Sequence, residues 1–300
     1  MKMNKYLLRT LLFVPGHNDK LIESASKSIA DAVVFDLEDS VLPFERKEDA
    51  RTNIKNKVSE LDFGAKQVFV RVNESASGVL LKDLHTLAIN GINGFLYPKT
   101  NKGSDIFFID KLLEAIEYEK SFPIGTFKII PIIEGTAAVL NAQEICQASS
   151  RVIALAFGSA DFMTDLRGML DDERQSLQVP RALIALAARA NNVLPIDTSF
   201  NNVHELDGLE YNLKIVKKLG FEGMSVLHPK QIQLAHQYFS PTQSEYDKAV
   251  ELLRLNEISI AESKGVSIKE GVFIGPPLVE QSKQIIAKWN LIKKNSYRDE

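Results

Sequence analysis

Two acidic residues of the sequence, Glu134 and Asp161, each follow a short run of apolar residues and are candidates for a shared metal site. Mg²⁺ prefers one or two protein carboxylates and takes its other ligands from water and substrate oxygens. Mn²⁺ accepts similar oxygen ligands. Alternatively, Glu134 caps a helix that begins at Gly135, and Asp161 caps the turn that follows Gly158. Position in the sequence leaves both interpretations open.

Three further charged residues are candidates for catalysis. Arg71 ends an apolar run, where its planar guanidinium can bind a substrate carboxylate through two hydrogen bonds. The alternative is a structural ion pair with an acid that follows another run. Glu38 and Asp39 are such acids. They either orient water molecules around a metal or cap a helix that starts near Glu45.

Two turns rich in small residues can bring backbone N–H groups close to an anionic ligand. The first turn contains Pro15 and Gly16, and the second contains Gly158, Ser159 and Ala160. Each turn follows an apolar run, so both are expected near the ligand that the charged residues bind.

Lys99 and His228 also follow apolar runs. Lys99 either binds an anionic substrate group or extends into solvent. His228 precedes Pro229 and is interpreted as a hydrogen-bonded turn residue rather than a proton carrier.

The elements that must position these side chains follow a regular pattern. Short apolar, β-branched runs alternate with segments of helical spacing, which predicts a parallel sheet covered by helices on its outer face. Eight such strand–helix units predict a (β/α)₈ TIM barrel, with an open doubly wound sheet as the alternative. In a barrel the carboxyl ends of the strands meet, so acids and bases from six or more strands should share one cleft. The predicted strands span residues 10–15, 32–38, 67–73, 94–99, 127–134, 152–158, 193–200 and 223–228.

The sequence divides into a barrel at residues 1–238 and a C-terminal extension at 239–300. Thr242 and Glu245 form a capping-box pattern at the start of a long helix that is predicted to end at Gly265. A strand-like turn at 266–277 and a last helix at 278–294 follow. The extension is too small for an independent domain, so it is expected to pack on the barrel or on a neighbouring subunit.

Composition excludes several classes of protein. The 300 residues are 45% hydrophobic, and 36 basic against 39 acidic residues leave a net charge of −3. The sequence lacks a basic run with interleaved aromatic residues, the pattern typical of nucleic-acid binding. It also lacks an apolar stretch long enough to span a membrane. The single cysteine, Cys146, cannot form an internal disulfide. A cytoplasmic location is therefore expected.

The motifs taken together resemble the citrate lyase β-subunit-like family (HpcH/HpaI aldolase/citrate lyase) of the phosphoenolpyruvate/pyruvate barrel superfamily, which includes malyl- and citramalyl-thioester lyases. The matching strings occur in family order over almost the whole chain. They are RTLLFVPGHN (9–18), ADAVVFDLEDSV (30–41), VRVN (70–73), YPKT (97–100), PIIEGTAAVLNAQEI (131–145), LAFGSADFMTD (155–165) and GFEGMSVLHPKQI (220–232).

The resemblance implies roles for these residues. It implies that Glu134 and Asp161 bind Mg²⁺, that Arg71 binds the carboxylate of a ketoacid, and that backbone N–H groups of residues 158–161 bind the same carboxylate. It further implies that Pro15, Gly16 and Lys99 border the opening for a pantetheine thioester, carried by coenzyme A or by an acyl-carrier protein. Trimers or hexamers of the chain are implied as well.

The implied reaction is a retro-Claisen cleavage of a hydroxyacyl thioester into a ketoacid and an acetyl thioester. Two alternatives are a class II pyruvate aldolase acting on a free hydroxy-ketoacid, and a ketoacid-binding protein that has lost the lyase step. One departure bears on this choice, because Gly275 stands where many members of the family carry a proton-transferring acid. Glu280, Glu270 or an acid in residues 163–174 is expected to replace it.

Overall fold

The chain forms a closed barrel of eight parallel strands, in which each strand pairs with the next and the eighth pairs with the first. The computed structural model describes residues 5–169, 171, 174–261, 267–269 and 272–296. The predicted TIM barrel is confirmed, and the open sheet is excluded. The strands are β1 (Thr10–Pro15), β2 (Ala32–Asp36), β3 (Gln67–Arg71), β4 (Gly94–Tyr97), β5 (Lys128–Ile133), β6 (Ala154–Phe157), β7 (Leu194–Asp197) and β8 (Gly223–Val226).

Most strands end one to three residues before their predicted ends, because polar side chains there turn the chain out of the sheet. At the end of β2, the Asp36 carboxylate accepts hydrogen bonds from the backbone N–H of Glu38 (2.9 Å) and of Ser40 (3.0 Å). This turn lifts Glu38 and Asp39 from the strand onto the rim of the barrel.

Helices cover the outside of the barrel. None of them, within the residues that the structure describes, has the length and apolar character needed to cross a membrane. They are α1 (Asp19–Ser26), α2 (Lys47–Glu60), α3 (Leu80–Leu87), α4 (Gly103–Glu119), α5 (Thr136–Leu140), α6 (Ala142–Gln147), α7 (Ser159–Leu166), α8 (Gln178–Ala190), α9 (Leu206–Lys218), α10 (Ile232–Phe239), α11 (Gln243–Ala261) and α12 (Pro276–Ser296).

Side chains alternate between two apolar layers along each strand. One buried cluster fills the barrel interior, and a larger one lies between the strands and the helices. The alternation decides which strand-end residues can reach the barrel mouth. Val34, Phe69 and Ile132 point inward, so the side chains two residues further along, Asp36, Arg71 and Glu134, point inward as well.

The same alternation turns Asp197 away from the mouth. Ile196 belongs to the interior cluster, so Asp197 points outward. It is fully buried against the Arg181 guanidinium, with two contacts of 2.9 Å. The expectation that acids and bases from six or more strands meet in one cleft is therefore wrong, and the ends of β2 to β6 supply the cluster.

The C-terminal extension consists of α11, a two-stranded antiparallel sheet of β9 (Ser267–Lys269) and β10 (Val272–Ile274), and α12. The capping box at the start of α11 is present, since the Glu245 carboxylate accepts from the backbone N–H of Thr242 (2.7 Å). Tyr246 of α11 stacks on Trp289 of α12, and Lys288 of α12 bonds Glu222 of the barrel (3.1 Å). The predicted end of the first helix at Gly265 lies outside the described residues.

Candidate active site

A cavity of about 630 Å³ opens at the carboxyl ends of β4 to β6. Glu134 and Asp161 both line it, together with Lys99. A larger cavity, of about 880 Å³, lies at the opposite end of the barrel beside α12, and none of the predicted site residues lines it. The remaining residues of the smaller cavity are Glu74, Ser75, Tyr97, Asn101, Ser104, Asp105, Phe108, Gly135, Thr164 and Asp165.

Glu134 follows β5 and is 6% exposed. Its Oε1 accepts a hydrogen bond from the backbone N–H of Lys99 (2.6 Å). The helix α5 has Gly135 as its N-cap, with no side-chain capping bond, so the capping interpretation of Glu134 is wrong. Burial and the negative charges of Glu38 and Asp161 raise the pKa of Glu134 to about 8, against the opposing effects of the Lys99 N–H and of Arg71.

Asp161 is an exposed residue in the first turn of α7. Its side chain makes no capping hydrogen bond, so the capping interpretation is wrong here as well. Gly158 brings this helix close to Glu134, because a Cβ at Gly158 would lie 2.8 Å from Glu134 Oε2. The two predicted metal ligands therefore face one space from neighbouring strands.

This pair of carboxylates suits a divalent cation. Burial and the charges of neighbouring acids disfavour the ionised form of Glu134, and a bound cation would offset that effect by stabilising the carboxylate. Both ligands are oxygens, and two carboxylates are within the number that Mg²⁺ accepts when water and substrate complete its coordination. The described part of the chain holds no group of three acidic, histidine or cysteine side chains suited to a metal.

Arg71 is surrounded by acids. Its guanidinium forms two hydrogen bonds of 2.7 Å with Asp36 and further contacts with Glu38 (2.9 Å) and Asp39 (3.1 Å). It also lies over the ring of Phe13, 5.5 Å from its centre. Arg71 thus forms the structural ion pair that was the alternative to its binding a substrate carboxylate. A substrate carboxylate would have to displace one of these partners, and Asp39 is the most exposed of them.

The ion pair with Arg71 fixes the charge of Asp36. Burial alone would raise the pKa of Asp36, but the hydrogen bonds and positive charge of Arg71 hold it below the ordinary value. Sequence analysis did not assign Asp36 to the site. Its position two residues after the inward-pointing Val34 was the signal that could have found it.

Glu38 is largely buried, and its pKa is raised to about 7 by burial, which outweighs the opposing charge of Arg71. The first helical turn after it begins at Phe44 and has no side-chain cap, and neither does α2, so the capping interpretation of Glu38 and Asp39 is wrong. Instead, the buried Lys47 ammonium bonds the carbonyl oxygens of Leu37 (2.7 Å) and Glu38 (2.9 Å).

Lys99 has a left-handed backbone, with φ of 50°, and its N–H points at Glu134. Its ammonium lies 3.2 Å from Glu74 and 3.7 Å from Glu38. Burial works to lower the pKa of Lys99, but the hydrogen bond to Glu74 and the charge of Glu38 raise it. Lys99 therefore contacts the site through both its backbone and its side chain.

Two of the predicted backbone donors are already occupied. The N–H of Gly158 bonds the Ile133 carbonyl (3.0 Å), and that of Ser159 bonds the Thr198 hydroxyl (3.1 Å). The N–H groups of Ala160 and Asp161 lie in the first turn of α7, where the helix itself offers no acceptor, and no other acceptor for them is found among the described residues. The prediction of an anion-binding turn at residues 158–161 is thereby narrowed to these two groups.

Pro15 and Gly16 do not line the cavity of Glu134 and Asp161. A Cβ at Gly16 would lie 2.6 Å from Ile54 of α2, so packing explains the glycine at this position. Their role at an opening for a thioester stays a prediction. His228 accepts from the Lys230 N–H (3.1 Å), as expected of a hydrogen-bonded turn histidine.

Thr136 is a further residue that sequence analysis did not assign, and Asp165 was expected only as one of the acids in residues 163–174. Asp165 lines the cavity and accepts hydrogen bonds from the backbone N–H (2.6 Å) and hydroxyl (2.7 Å) of Thr136. These bonds hold the pKa of Asp165 below its ordinary value. The two residues are 29 positions apart, and no local pattern in the sequence indicates the contact.

Comparison with known proteins gives consistent similarities. Residues 9–229 match the family model described as HpcH/HpaI aldolase/citrate lyase. The chain is 30% identical to the citrate lyase subunit beta of Leuconostoc mesenteroides subsp. cremoris, over 94% of this chain and 93% of that one. It is also 30% identical to an L-malyl-CoA/beta-methylmalyl-CoA lyase of Cereibacter sphaeroides, over 95% of each chain.

Solved structures share the fold. The CitE protein of Mycobacterium tuberculosis, in complex with magnesium, acetoacetate and coenzyme A, superimposes with a TM-score of 0.74 at 21% identity, over 95% of this chain and 99% of that one. A citrate lyase of Burkholderia xenovorans LB400 superimposes with a TM-score of 0.81 at 16% identity, over 96% and 93% of the two chains.

Proposed function

Because the chain belongs to the HpcH/HpaI aldolase/citrate lyase family and is a carbon–carbon lyase, we propose that it cleaves a hydroxyacyl thioester with Mg²⁺ as cofactor. Citryl, malyl and citramalyl thioesters are the candidate substrates, and the products are a ketoacid and an acetyl thioester. The observation that most supports the proposal is that Glu134 and Asp161 line one cavity, with the charge of Arg71 acting on Glu134.

The proposed cleavage starts when a base removes the proton of the substrate hydroxyl. The electron pair of the carbon–carbon bond then moves to the carbon beside the thioester, which leaves a ketoacid and a thioester enolate. Mg²⁺ bound by Glu134 and Asp161 would stabilise the negative charge that develops on the hydroxyl oxygen. The enolate finally takes up a proton to give the acetyl thioester.

Glu38 is the proposed base. A general base works best when its pKa lies near the working pH, and burial raises the pKa of Glu38 to about 7. Arg71 at 2.9 Å and the backbone held by Lys47 fix its carboxylate at the rim of the mouth. Asp39, more exposed, keeps its predicted role of orienting water.

Arg71 is proposed to bind the ketoacid carboxylate, with help from the free N–H groups of Ala160 and Asp161. Hydrogen-bond donors placed in advance stabilise charge at low cost in reorganisation. Lys99, whose ammonium lies 3.7 Å from Glu38, is proposed to contact the thioester carrier. The carrier is coenzyme A or an acyl-carrier protein, and the named substrate of the Cereibacter sphaeroides relative contains coenzyme A.

The source of the enolate proton is a separate question. Gly275 precedes α12, and its carbonyl accepts hydrogen bonds from the N–H groups of Leu278 (3.0 Å) and Val279 (3.2 Å). Glycine offers no acid there. Of the expected replacements, Glu280 lies in α12 and Glu270 lies outside the described residues, whereas Asp165 lines the cavity.

The test is turnover of citryl, malyl and citramalyl thioesters with Mg²⁺ and with a chelator. The ketoacid and the acetyl thioester should appear together, and E134Q and D161N should abolish both metal binding and turnover. A matched control is D207N, which changes an acid in the first turn of α9, away from the cavity. Full activity in chelator-treated protein would contradict the proposal. Release of pyruvate from a free hydroxy-ketoacid, without any thioester, would indicate the aldolase instead.

A further inference from the structure

The two proposed metal ligands belong to different elements of the fold. Glu134 follows β5, whereas Asp161 lies in the first turn of α7. Backbone bonds fix the start of α7 through Gly158, but the carboxylate of Asp161 is exposed and has no hydrogen-bond partner among the described residues. A cation shared by both acids requires their separation to be held within a few tenths of an ångström.

Asp165 makes a contact that can hold this separation. It lies four residues after Asp161, so both side chains project from the same face of α7. Its Oδ2 accepts two hydrogen bonds from Thr136, which lies only two residues after Glu134. The contact therefore joins the helix that carries Asp161 to the start of α5, two residues after Glu134.

The contact also satisfies a need of α5. The first N–H groups of a helix have no partner within the helix, and an N-cap side chain normally accepts from one of them. The N-cap of α5 is Gly135, which has no side chain. Asp165 supplies the missing acceptor from the neighbouring helix.

We propose that Asp165 and Thr136 form a bracket that ties α7 to α5 and so sets the distance between the carboxylates of Asp161 and Glu134. The inference rests on the proposed metal site. Asp165 is a positioning residue in this arrangement. Both bonds use one oxygen, Oδ2, and Oδ1 has no partner among the described residues. The uncharged amide oxygen of an asparagine at position 165 can accept the same two bonds. A D165N variant therefore distinguishes a positioning role of Asp165 from a direct role of its charge.

The experiment measures Mg²⁺ affinity by calorimetry, and Mn²⁺ binding by electron paramagnetic resonance, for the full chain and its variants. D165A should weaken metal binding by about tenfold, as loss of a residue that orients a ligand typically does. D165N should stay close to the wild-type affinity, and T136V, which keeps the N–H but loses the hydroxyl, should fall between. Saturating Mg²⁺ should restore much of the kcat of D165A, because the bracket acts on metal affinity.

The matched control is D171A. Asp171 also accepts backbone hydrogen bonds at the start of a helical turn, from Gln175 (2.8 Å) and Ser176 (3.2 Å), but it does not line the cavity. D171A should leave metal affinity unchanged. If D165A misfolds, T136V tests the same bracket by removing the Thr136 hydroxyl that bonds Asp165.

Two results would overturn the inference while the metal site stands. One is wild-type metal affinity in both D165A and T136V. The other is a D165N variant whose metal affinity falls as far as that of D165A, which would mean that the charge of Asp165 acts directly on the metal. If E134Q and D161N bind metal as the wild type does, the proposed metal site itself fails, and the bracket fails with it.

Discussion

Glu134 packs so closely against Gly158 that a Cβ at Gly158 would lie 2.7 Å from the Cβ of Glu134. The φ of Gly158 is −107°, which other residues adopt readily, so space rather than backbone conformation requires glycine here. The position of Glu134, a proposed metal ligand, therefore depends on the absence of a side chain at Gly158, which follows β6.

Gly158→Ala is therefore expected to push Glu134 out of place. The overpacking should cost about 1–3 kcal/mol of unfolding free energy and should weaken Mg²⁺ binding. Thermal unfolding and calorimetry measure the two effects. The control is Gly135→Ala, whose new Cβ would approach the side-chain oxygen of Asn101, at 3.2 Å, and would be in ordinary contact with that of Asp165, at 3.7 Å, without meeting Glu134. Unchanged metal affinity in G158A would contradict the role given to this contact.

Asp39→Asn should strengthen ketoacid binding. Asp39 is a 66% exposed partner of Arg71, and an exposed ion pair contributes roughly 0.2–1 kcal/mol. Removing this competitor should lower the Kd for pyruvate or oxaloacetate by roughly two- to fivefold. Calorimetry of the Mg²⁺-loaded protein measures this change in Kd. A large fall in kcat without tighter binding would mean instead that Asp39 acts directly in catalysis.

The raised pKa of Glu134 predicts a pH-dependent stability of the metal-free protein. The pKa of Glu134 is about 8 in the folded chain against 4.5 for the ordinary carboxyl group, so the folded state binds more protons between these pH values. The contribution of Glu134 to stability is then fully present below pH 4.5 and is lost as the pH rises through 8, by a few kcal/mol at order of magnitude.

Denaturant unfolding in chelator from pH 5 to 9 measures this loss. E134Q should show a shallower decline than the wild type, with the remainder due to Glu38 and other groups. Added Mg²⁺ should stabilise the wild type most at high pH, because the metal binds the ionised carboxylate. Parallel pH profiles for E134Q and the wild type would show that Glu134 does not titrate in this range.

The variants Lys99→Gly and Lys99→Met distinguish the role of the Lys99 backbone, which bonds Glu134, from the role of its ammonium group. Both variants keep the N–H that bonds Glu134, and glycine also adopts the positive φ without strain. Metal affinity should stay near that of the wild type in both, while the KM for a coenzyme A thioester rises in both. Steady-state kinetics and calorimetry separate the effects. Loss of metal binding in K99M would contradict the backbone role.

Much of the barrel could be predicted from sequence because local patterns determine it. Apolar β-branched runs predicted all eight strands, and the Thr242–Glu245 pattern predicted the start of α11. The ends of the strands were less predictable, since they depend on side-chain bonds such as those of Asp36 to the following backbone.

The sequence predicted which residues belong to the site but not which of them contact each other. Glu134, Asp161 and Lys99 were expected together and line one cavity. Partner choice depends on distances in three dimensions, so the pairing of Arg71 with Asp36 and the outward direction of Asp197 were missed. Strict application of the two-residue alternation within strands would have found both.

That alternation also constrains how such a site can change over evolution. Inserting or deleting one residue within β5 would rotate Glu134 from the barrel mouth toward the helices, and the same holds for Asp36 in β2 and Arg71 in β3. New substrate preferences are therefore accessible through substitutions at fixed positions and through length variation in the loops beyond the strands. The strand segments themselves should tolerate no change in length.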